Sequence, residues 1–265
     1  GRRAFESVEE LGRFVIFCAS TVRWLISDAF KFHNWRLVWP QFYEVGTRSI
    51  PVVMLTGAFI GMVLAVEMFA QFEQFGQEDK LGGVIGISVV KHLGPVLAAV
   101  MLAGRVGGAF AAEIGTMTVT EQVEALRVMG AAPISHLVVP RVIACVIMIP
   151  ILTIFSDILG VAGSWMIGVG MFEIPNNDYW AQSARIISKW DLTMGLVKSV
   201  FFGLAIGLIS CHKGFRCERG AQGVGEATTS AFVTSFVTII VLNFFLAKFQ
   251  NDLYLLLYGQ PRPLL

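Results

Sequence analysis

The sequence is poor in charged residues and lacks the motifs that common enzymes require. Only 15% of its 265 residues are charged and 55% are hydrophobic, whereas soluble domains contain about 25% charged residues. The net charge of +1 lacks the basic surplus of a nucleic-acid-binding protein. No Walker A lysine motif, zincin His-Glu-x-x-His or Gly-x-Ser-x-Gly elbow is present. The composition therefore indicates a membrane-embedded protein without nucleic-acid partners.

Cysteine is also scarce, which bears on metal binding. The four cysteines are scattered, and three of them lie in or beside apolar runs. Cys211, His212 and Cys217 have a spacing that fits no zinc pattern. We therefore expect small apolar side chains, one loop thiol and no metal site. A cleavable signal peptide is not predicted, because no short apolar core with a small-residue cleavage site follows the basic first residues.

Long apolar segments dominate the chain and predict an all-α integral membrane protein. Five of them reach the roughly 20 residues that a membrane span needs. Residues 4–39 instead mix tryptophans with basic residues, which predicts an amphipathic helix in the membrane interface, ended by Pro40. The predicted spans are residues 50–72, 81–112, 138–172, 192–211 and 231–258.

Two of these spans raise questions of length. Residues 81–112, at about 1.5 Å per residue, exceed the roughly 30 Å of a bilayer core, and Gly94-Pro95 is the natural place for a break. Residues 138–172 could be one kinked span or two short ones. One span is favoured, because most lysines and arginines then lie on the side where the chain starts. This predicts a cytoplasmic N-terminus and a C-terminus outside.

A short polar helix is predicted at residues 118–129, after the second span. Thr118 and Glu121 match a capping box, and Gly130 with Pro133 forms the stop signal. A helix this short is marginal in isolation, so we expect it to pack against another surface. Its apolar face contains Val119, Val123, Leu126 and Met129.

Ionisable residues inside the spans are the candidate functional groups. Each costs about 2.5–3.5 kcal/mol at a helix centre, so such groups usually face a cavity or a partner. Lys91 and His92 adjoin the predicted break, where a cationic pair in a cavity would suit an anionic headgroup. For Arg105 and Asp157, structural pairing, such as Asp157 with Arg105 or Lys198, is the favoured interpretation. The full set is Glu67, Lys91, His92, Arg105, Asp157 and Lys198.

Several motifs resemble those of one transporter family. The motifs look like those of the MlaE/YrbE family, which are the permease subunits of MCE-type ABC lipid transporters. They occur in the same order and at matching spacing over about residues 40–250. The motifs include Gln41-Phe42-Tyr43-Glu44-Val45-Gly46, Gly57-Ala58-Phe59-Ile60-Gly61, Leu93-Gly94-Pro95-Val96, Ala103-Gly104-Arg105-Val106-Gly107, Ala112-Glu113-Ile114-Gly115, Thr120-Glu121-Gln122, Pro140-Arg141 and Gly223-Val224-Gly225-Glu226.

The resemblance implies a homodimeric permease with an interfacial helix and five spans in the bacterial inner membrane. This chain would bind no cofactor, and ATP and magnesium would bind a separate cytoplasmic ABC ATPase. A periplasmic ring of MCE-domain proteins is implied, with a STAS-domain protein in some complexes. The ligand would be a phospholipid in a cavity between the two permeases, moved between the inner and outer membranes. The N-terminus would be cytoplasmic and the C-terminus periplasmic.

The resemblance also implies roles for single residues. Lys91 and His92 stand where many members have Arg-Glu, which opens a pH-sensitive role for His92. Arg105, Glu113 and Asp157 would be structural. The implied lipid or cavity residues are Leu64, Gln71, Phe72, Phe75, Lys91, His92 and Lys198. The implied ATPase-coupling residues are Thr118, Glu121, Gln122, Val123, Leu126 and Met129.

Two other functions remain open from the residues alone. An ion-coupled secondary transporter would use Glu67, Lys91 and Asp157, and gradient-dependent uptake by the purified chain alone would identify it. A membrane enzyme is the more distant alternative, and lipid turnover without transport would identify that activity.

Overall fold

The computed structural model describes residues 2–28 and 35–258, and these ranges contain helices and no β-strand. The prediction of an all-α protein is therefore confirmed. The α-helices are α1 (Arg2–Asp28), α2 (Trp35–Val45), α3 (Ile50–Gln74), α4 (Leu81–Ser88), α5 (Gly94–Leu102), α6 (Gly108–Val119), α7 (Gln122–Val128), α8 (Val139–Gly170), α9 (Asn176–Ile186), α10 (Lys189–Phe215) and α11 (Ala221–Tyr258).

Five continuous helical segments are long and apolar enough to cross a membrane, which confirms the predicted number of spans. Most of them extend beyond the apolar runs, because backbone hydrogen bonds continue through polar residues once a helix has started. The third apolar stretch is a single helix despite Pro150. The five segments are Arg36–Gln74, Leu81–Val119, Ile134–Gly170, Lys189–Phe215 and Ala221–Tyr258.

The single helix predicted for residues 4–39 includes residues 29–34, which lie outside the described residues, so its continuity stays a prediction. On either side of them the structure has α1 (Arg2–Asp28) and α2 (Trp35–Val45). Pro40 lies inside α2, so the prediction that it ends a helix is wrong. Pro40 is close to the start of α2. Because proline has no amide hydrogen, the carbonyl of Arg36, an exposed residue in the first turn, does not receive the usual helical hydrogen bond from position 40. A proline at this position is therefore tolerated.

The second span stays helical through Gly94-Pro95, where the sequence predicted a break. Val89–Leu93 and Ala103–Gly107 form π-helical turns, and the amide of Gly94 donates to the carbonyl of Val89. A π turn carries one extra residue per turn and is often found at functional sites. The irregularity caused by Pro95 is thus a widened turn rather than an interruption.

The chain divides into two compact units. Unit 1 contains the described residues of Gly1–Thr47, together with Ala103–Ile147 and Gly203–Val237. Unit 2 contains Arg48–Leu102, Met148–Phe202 and the described residues of Thr238–Leu265.

The core of unit 1 joins α6, α8 and α10, with α1 packed against it. Phe14 and Phe17 of α1 lie against buried side chains of the other helices. Gly203 brings α10 into contact with α8, because a Cβ at this position would lie 2.7 Å from the carbonyl oxygen of Cys145. The buried cluster consists of Ile114, Val138, Val142, Leu208 and Cys211.

The core of unit 2 includes α9, a helix that the sequence did not predict. Tyr179 of α9 is fully buried, shares a 2.7 Å hydrogen bond with Ser164, and packs against Gly82 of α4. Burial raises the pKa of Tyr179. Gly61 of α3 has no room for a side chain, because a Cβ would overlap the carbonyl of Gly160. These contacts hold α3, α4, α8 and α9 together within unit 2.

Candidate functional site

The first candidate site lies at the π turn Val89–Leu93 of unit 2. The side chain of Lys91 is half-buried and that of His92 is exposed. The turn precedes Pro95, whose lack of an amide hydrogen makes regular helix geometry unfavourable here. Two adjacent polar side chains are therefore presented from an irregular part of a membrane span.

Lys198 of α10 lies against this turn. It is only 1% exposed, and its Nζ donates a hydrogen bond of 3.2 Å to the carbonyl oxygen of Lys91. The two lysine ammonium groups also repel each other. Gly195, one turn earlier, allows the close approach, because a Cβ there would lie 2.5 Å from the carbonyl oxygen of Val90. The arrangement concentrates positive charge at the turn.

Asp157 of α8 borders the same turn and is 8% exposed. Its Oδ1 is buried and has no hydrogen-bond partner among the described residues. Gly94 brings the turn close to Asp157, because a Cβ at this position would overlap Oδ1 of Asp157 and lie 3.0 Å from the carbonyl oxygen of Val89. The alternative in which Asp157 pairs with Lys198 is wrong in this structure, since the Lys198 ammonium bonds to the Lys91 carbonyl instead.

The four first-span residues predicted to contact lipid fall into two groups. Leu64 and Phe72 are half-buried and pack against the core of unit 2. Gln71 and Phe75 are exposed, Phe75 to 77% of its surface. Their lipid role stays a prediction, and the exposed pair is the more accessible half of the set. Glu67 is exposed on the same helix.

Unit 1 contains an ion pair between the ends of two spans. Nη2 of Arg141 donates to Oε2 of Glu113 at 2.7 Å, and Nη1 donates to the carbonyl of Leu137 at 2.8 Å. The guanidinium also lies over the ring of Phe110, 5.4 Å from its centroid. In the sequence, Arg141 was named only within the Pro140-Arg141 motif of the family resemblance, without a role or a partner. Arg105 is half-buried in the π turn Ala103–Gly107.

The predicted coupling segment begins later than expected. Thr118 is still inside α6, and its hydroxyl donates to the carbonyl of Ile114 at 2.8 Å rather than capping a new helix. Glu121 has a φ of 60° and makes no side-chain capping bond. The predicted capping box is therefore wrong. Helix α7 begins at Gln122, after the left-handed turn at Glu121.

Helix α7 has a buried side and an exposed apolar tip. Val123 is 3% exposed and Leu126 is half-buried, so these two side chains hold α7 against its own unit. Val128 and Met129 are 89% and 72% exposed, directly before the stop at Gly130. Val128 was not among the predicted coupling residues, because it lies off the apolar face defined by helical spacing. The exposed tip is available to a partner protein.

The described chain is thus a polytopic helical membrane protein with ionisable groups inside its spans, the architecture of a transporter permease. It belongs to the MlaE family, described as Permease MlaE, because the model of this family matches residues 38–249. The family resemblance drawn from the motifs is therefore confirmed.

Named relatives cover most of the chain. A probable ABC transporter permease protein of Rickettsia bellii is 38% identical over 248 residues, 94% of this chain and 95% of that protein. A probable ABC transporter permease of Synechocystis sp. is 44% identical over 214 residues, 81% of each chain. The chloroplastic protein TRIGALACTOSYLDIACYLGLYCEROL 1 of Arabidopsis thaliana is 39% identical over 216 residues, 82% of this chain and 62% of that protein.

Proposed function

We propose that this chain is the permease subunit of an ATP-driven lipid transporter and that it binds phospholipid headgroups at Lys91 and His92. The observation that carries the proposal is the concentration of cations at the π turn, where Lys91 and His92 are adjacent and Nζ of the buried Lys198 lies 3.2 Å from the carbonyl oxygen of Lys91. Ionisable groups inside membrane proteins commonly mark substrate sites, and a concentration of positive charge attracts the phosphate of a lipid headgroup. The Arabidopsis relative is named after a diacylglycerol lipid, and this name supports a lipid substrate.

The energy would come from a separate cytoplasmic ABC ATPase that binds ATP and magnesium. The absence of a Walker A motif in this sequence and the permease names of its relatives support this division of labour. Helix α7 would dock on the ATPase through its exposed tip, Val128 and Met129, with Glu121 and Gln122 at its start. The buried Val123 would transmit the motion into unit 1.

The complete transporter would be a homodimer of this permease in a bacterial inner membrane. Phospholipid would lie between the two copies and move between the inner and outer membranes through a periplasmic MCE-domain ring, with a STAS-domain protein as a further candidate. The distribution of lysines and arginines supports a cytoplasmic N-terminus and a periplasmic C-terminus. Exposed apolar side chains on α3, including Phe59 and Val63, support a surface for acyl chains or for the second copy.

Charge reversal at Lys91 tests the headgroup site. Transfer of fluorescent NBD-phosphatidylglycerol by the reconstituted complex should fall about tenfold or more in Lys91→Glu, because a charge-assisted contact to phosphate becomes a repulsion. Lys189→Glu is the matched control, since Lys189 is exposed at the start of α10. Transfer at the wild-type rate in Lys91→Glu would overturn the assignment.

The exposed tip of α7 offers a separate test of ATPase docking. In Val128→Asp/Met129→Asp the ATPase subunit should no longer co-purify with the permease, because two apolar contacts become charged. Glu124→Gln is the control on the same helix, where Glu124 is exposed and pairs with Arg127. Unchanged co-purification and ATP-driven transfer in the double variant would exclude this docking surface.

Ion-coupled secondary transport is the second candidate function, and the unpartnered Oδ1 of Asp157 favours it. Its distinguishing result is lipid transfer by the purified chain without an ATPase, driven by a proton gradient and abolished in Asp157→Asn. Transfer that requires ATP and survives collapse of the gradient would exclude this candidate.

A further inference from the structure

Pro95 removes a hydrogen-bond donor at the centre of the candidate site. In a regular α-helix the carbonyl of Lys91 would accept from the amide four residues later, which is position 95. Proline has no amide hydrogen, so this bond cannot form. In a membrane helix, a carbonyl freed in this way is satisfied by a group of a neighbouring helix, by a polar side chain or by an ordered water.

Lys198 supplies that replacement from a different helix. Its Nζ lies 3.2 Å from the Lys91 carbonyl oxygen, and its side chain is almost completely buried. We propose that Lys198 is a positioning residue, whose ammonium takes the place of the missing Pro95 amide and holds the π turn that presents Lys91 and His92. The proposal revises the expectation that Lys198 contacts the lipid, and it rests on the proposed function for the role of the other two residues.

Helices α8 and α10 both pack closely against the π turn, so the Lys198 bond is part of a larger contact. We call this arrangement of Gly160, Gly195 and Lys198 around the turn the clamp. On the α10 side, a Cβ at Gly195 would lie 2.5 Å from the Val90 carbonyl and 3.4 Å from Cγ of Pro95. On the α8 side, a Cβ at Gly160 would lie 2.9 Å from a methyl group of Val89. Two glycines thus allow two helices to close on the turn, and Lys198 adds the polar contact.

The clamp matters for binding because a π turn holds one residue more than an α-helical turn. If the turn relaxed to α-helical geometry, side chains on its two sides would rotate relative to each other by about 100°, the angle per residue of an α-helix. Lys91 and His92 would then leave the face on which they now lie. Lys198 therefore acts on lipid binding through the backbone of Lys91.

A rescue experiment tests this role directly. Amide hydrogen exchange of residues 89–96 in the purified full-length protein should accelerate about tenfold in Lys198→Met, which keeps the length of the side chain but removes the donor. Adding Pro95→Ala restores a backbone amide opposite the Lys91 carbonyl. Exchange in Pro95→Ala/Lys198→Met should therefore return to the rate of Pro95→Ala alone.

Two control variants isolate the effect. Pro150→Ala/Lys198→Met restores an amide in α8, away from this carbonyl, and should exchange as fast as Lys198→Met. Lys189→Met removes an exposed cation of the same helix and should exchange slowly, like the wild type. If Lys198→Met does not accumulate in the membrane, the amount of folded protein in the membrane is compared among the variants instead. This amount should then recover in Pro95→Ala/Lys198→Met and stay low in Pro150→Ala/Lys198→Met.

Binding of NBD-phosphatidylglycerol to the same variants separates this proposal from the proposed function. Binding should weaken in Lys198→Met and recover in Pro95→Ala/Lys198→Met, because the bond from the Gly94 amide to the Val89 carbonyl, which closes the π turn, is kept in both variants. Recovery of slow exchange without recovery of binding would identify Lys198 as a direct ligand and overturn the positioning role. An unchanged exchange rate in Lys198→Met, or no rescue by Pro95→Ala, would also overturn it. Normal binding by Lys91→Glu would instead refute the headgroup site and leave the exchange result standing.

Discussion

Arg141 in unit 1 and Lys198 in unit 2 are both buried cations, yet their surroundings differ. The two terminal nitrogens of Arg141 donate to the carboxylate of Glu113 and to a backbone carbonyl. Lys198 donates to the carbonyl oxygen of Lys91, which carries only a partial charge. Asp157, which lies beside Gly94 after the same turn, retains a buried oxygen without a hydrogen-bond partner among the described residues. The first cation is neutralised by its own chain, and the second is not.

This difference separates a structural pair from the proposed binding site. The pair in unit 1 fixes two helix ends, and its opposite formal charges cancel. A buried cation that donates to a backbone dipole, as Lys198 does, retains an attraction for anions, at a cost in stability that a bound ligand would offset. Charge compensation, rather than burial, therefore distinguishes the two regions.

The largest expected effect comes from opening the pair in unit 1. Glu113→Ala should lower the free energy of unfolding by about 2–3 kcal/mol, less than the about 3–5 kcal/mol of a fully buried pair because the Glu113 side chain is 47% exposed. Thermal or denaturant unfolding of the purified protein measures the change. A loss no larger than that of the exposed control Glu124→Ala would show that Arg141 is not neutralised by this contact.

A smaller effect is expected at a satisfied polar contact of unit 2, away from the π turn. Tyr179→Phe removes the hydrogen bond to Ser164 and should cost about 1 kcal/mol at neutral pH. Burial raises the pKa of Tyr179 in the folded protein, so its stabilising contribution is present below about pH 10 and is lost as the pH rises further.

The variant should therefore lose less stability than the wild type between neutral and strongly alkaline pH. Unfolding curves at several pH values measure this difference. Parallel pH profiles would mean that Tyr179 ionises equally easily in both states, and Ser164→Ala serves as the control that keeps the phenol.

The smallest effect is expected at the unpartnered carboxylate. Asp157→Asn should leave the free energy of unfolding unchanged or raise it slightly, because no hydrogen bond to Oδ1 is lost and a buried carboxyl oxygen without a partner is itself a cost. Glu113→Gln, the same chemical change in the neutralised pair, should be clearly destabilising. Equal losses in the two variants would remove the distinction between the regions.

The sequence predicted the spans well because long apolar runs have few alternatives to membrane helices. It missed α9, because Pro175-Asn176-Asn177 and the polar residues that follow indicated a loop. The helical spacing of Tyr179, Ser183 and Ile186 was the available signal, and the contacts of these residues with Gly82 and Gly83 show which face of α4 they cover.

The site was less predictable because its contacts are distant in sequence. Gly94-Pro95 marked the correct place, but the donor that completes the turn is 107 residues away from the carbonyl it binds. Local patterns failed at Thr118 and Glu121 for a different reason. A capping box requires the chain to leave the first helix before Thr118, whereas α6 continues to Val119.

Helix α11 is 38 residues long, which corresponds to about 57 Å at 1.5 Å per residue. That length is nearly twice the roughly 30 Å of a bilayer core. The side chains of Phe244, Phe245 and Phe249 on this helix are exposed. Such a helix adjusts to its surroundings by tilting or by projecting into the headgroup layer. Bilayer thickness is therefore a mechanical variable for this protein, separate from the chemistry of the lipid headgroups.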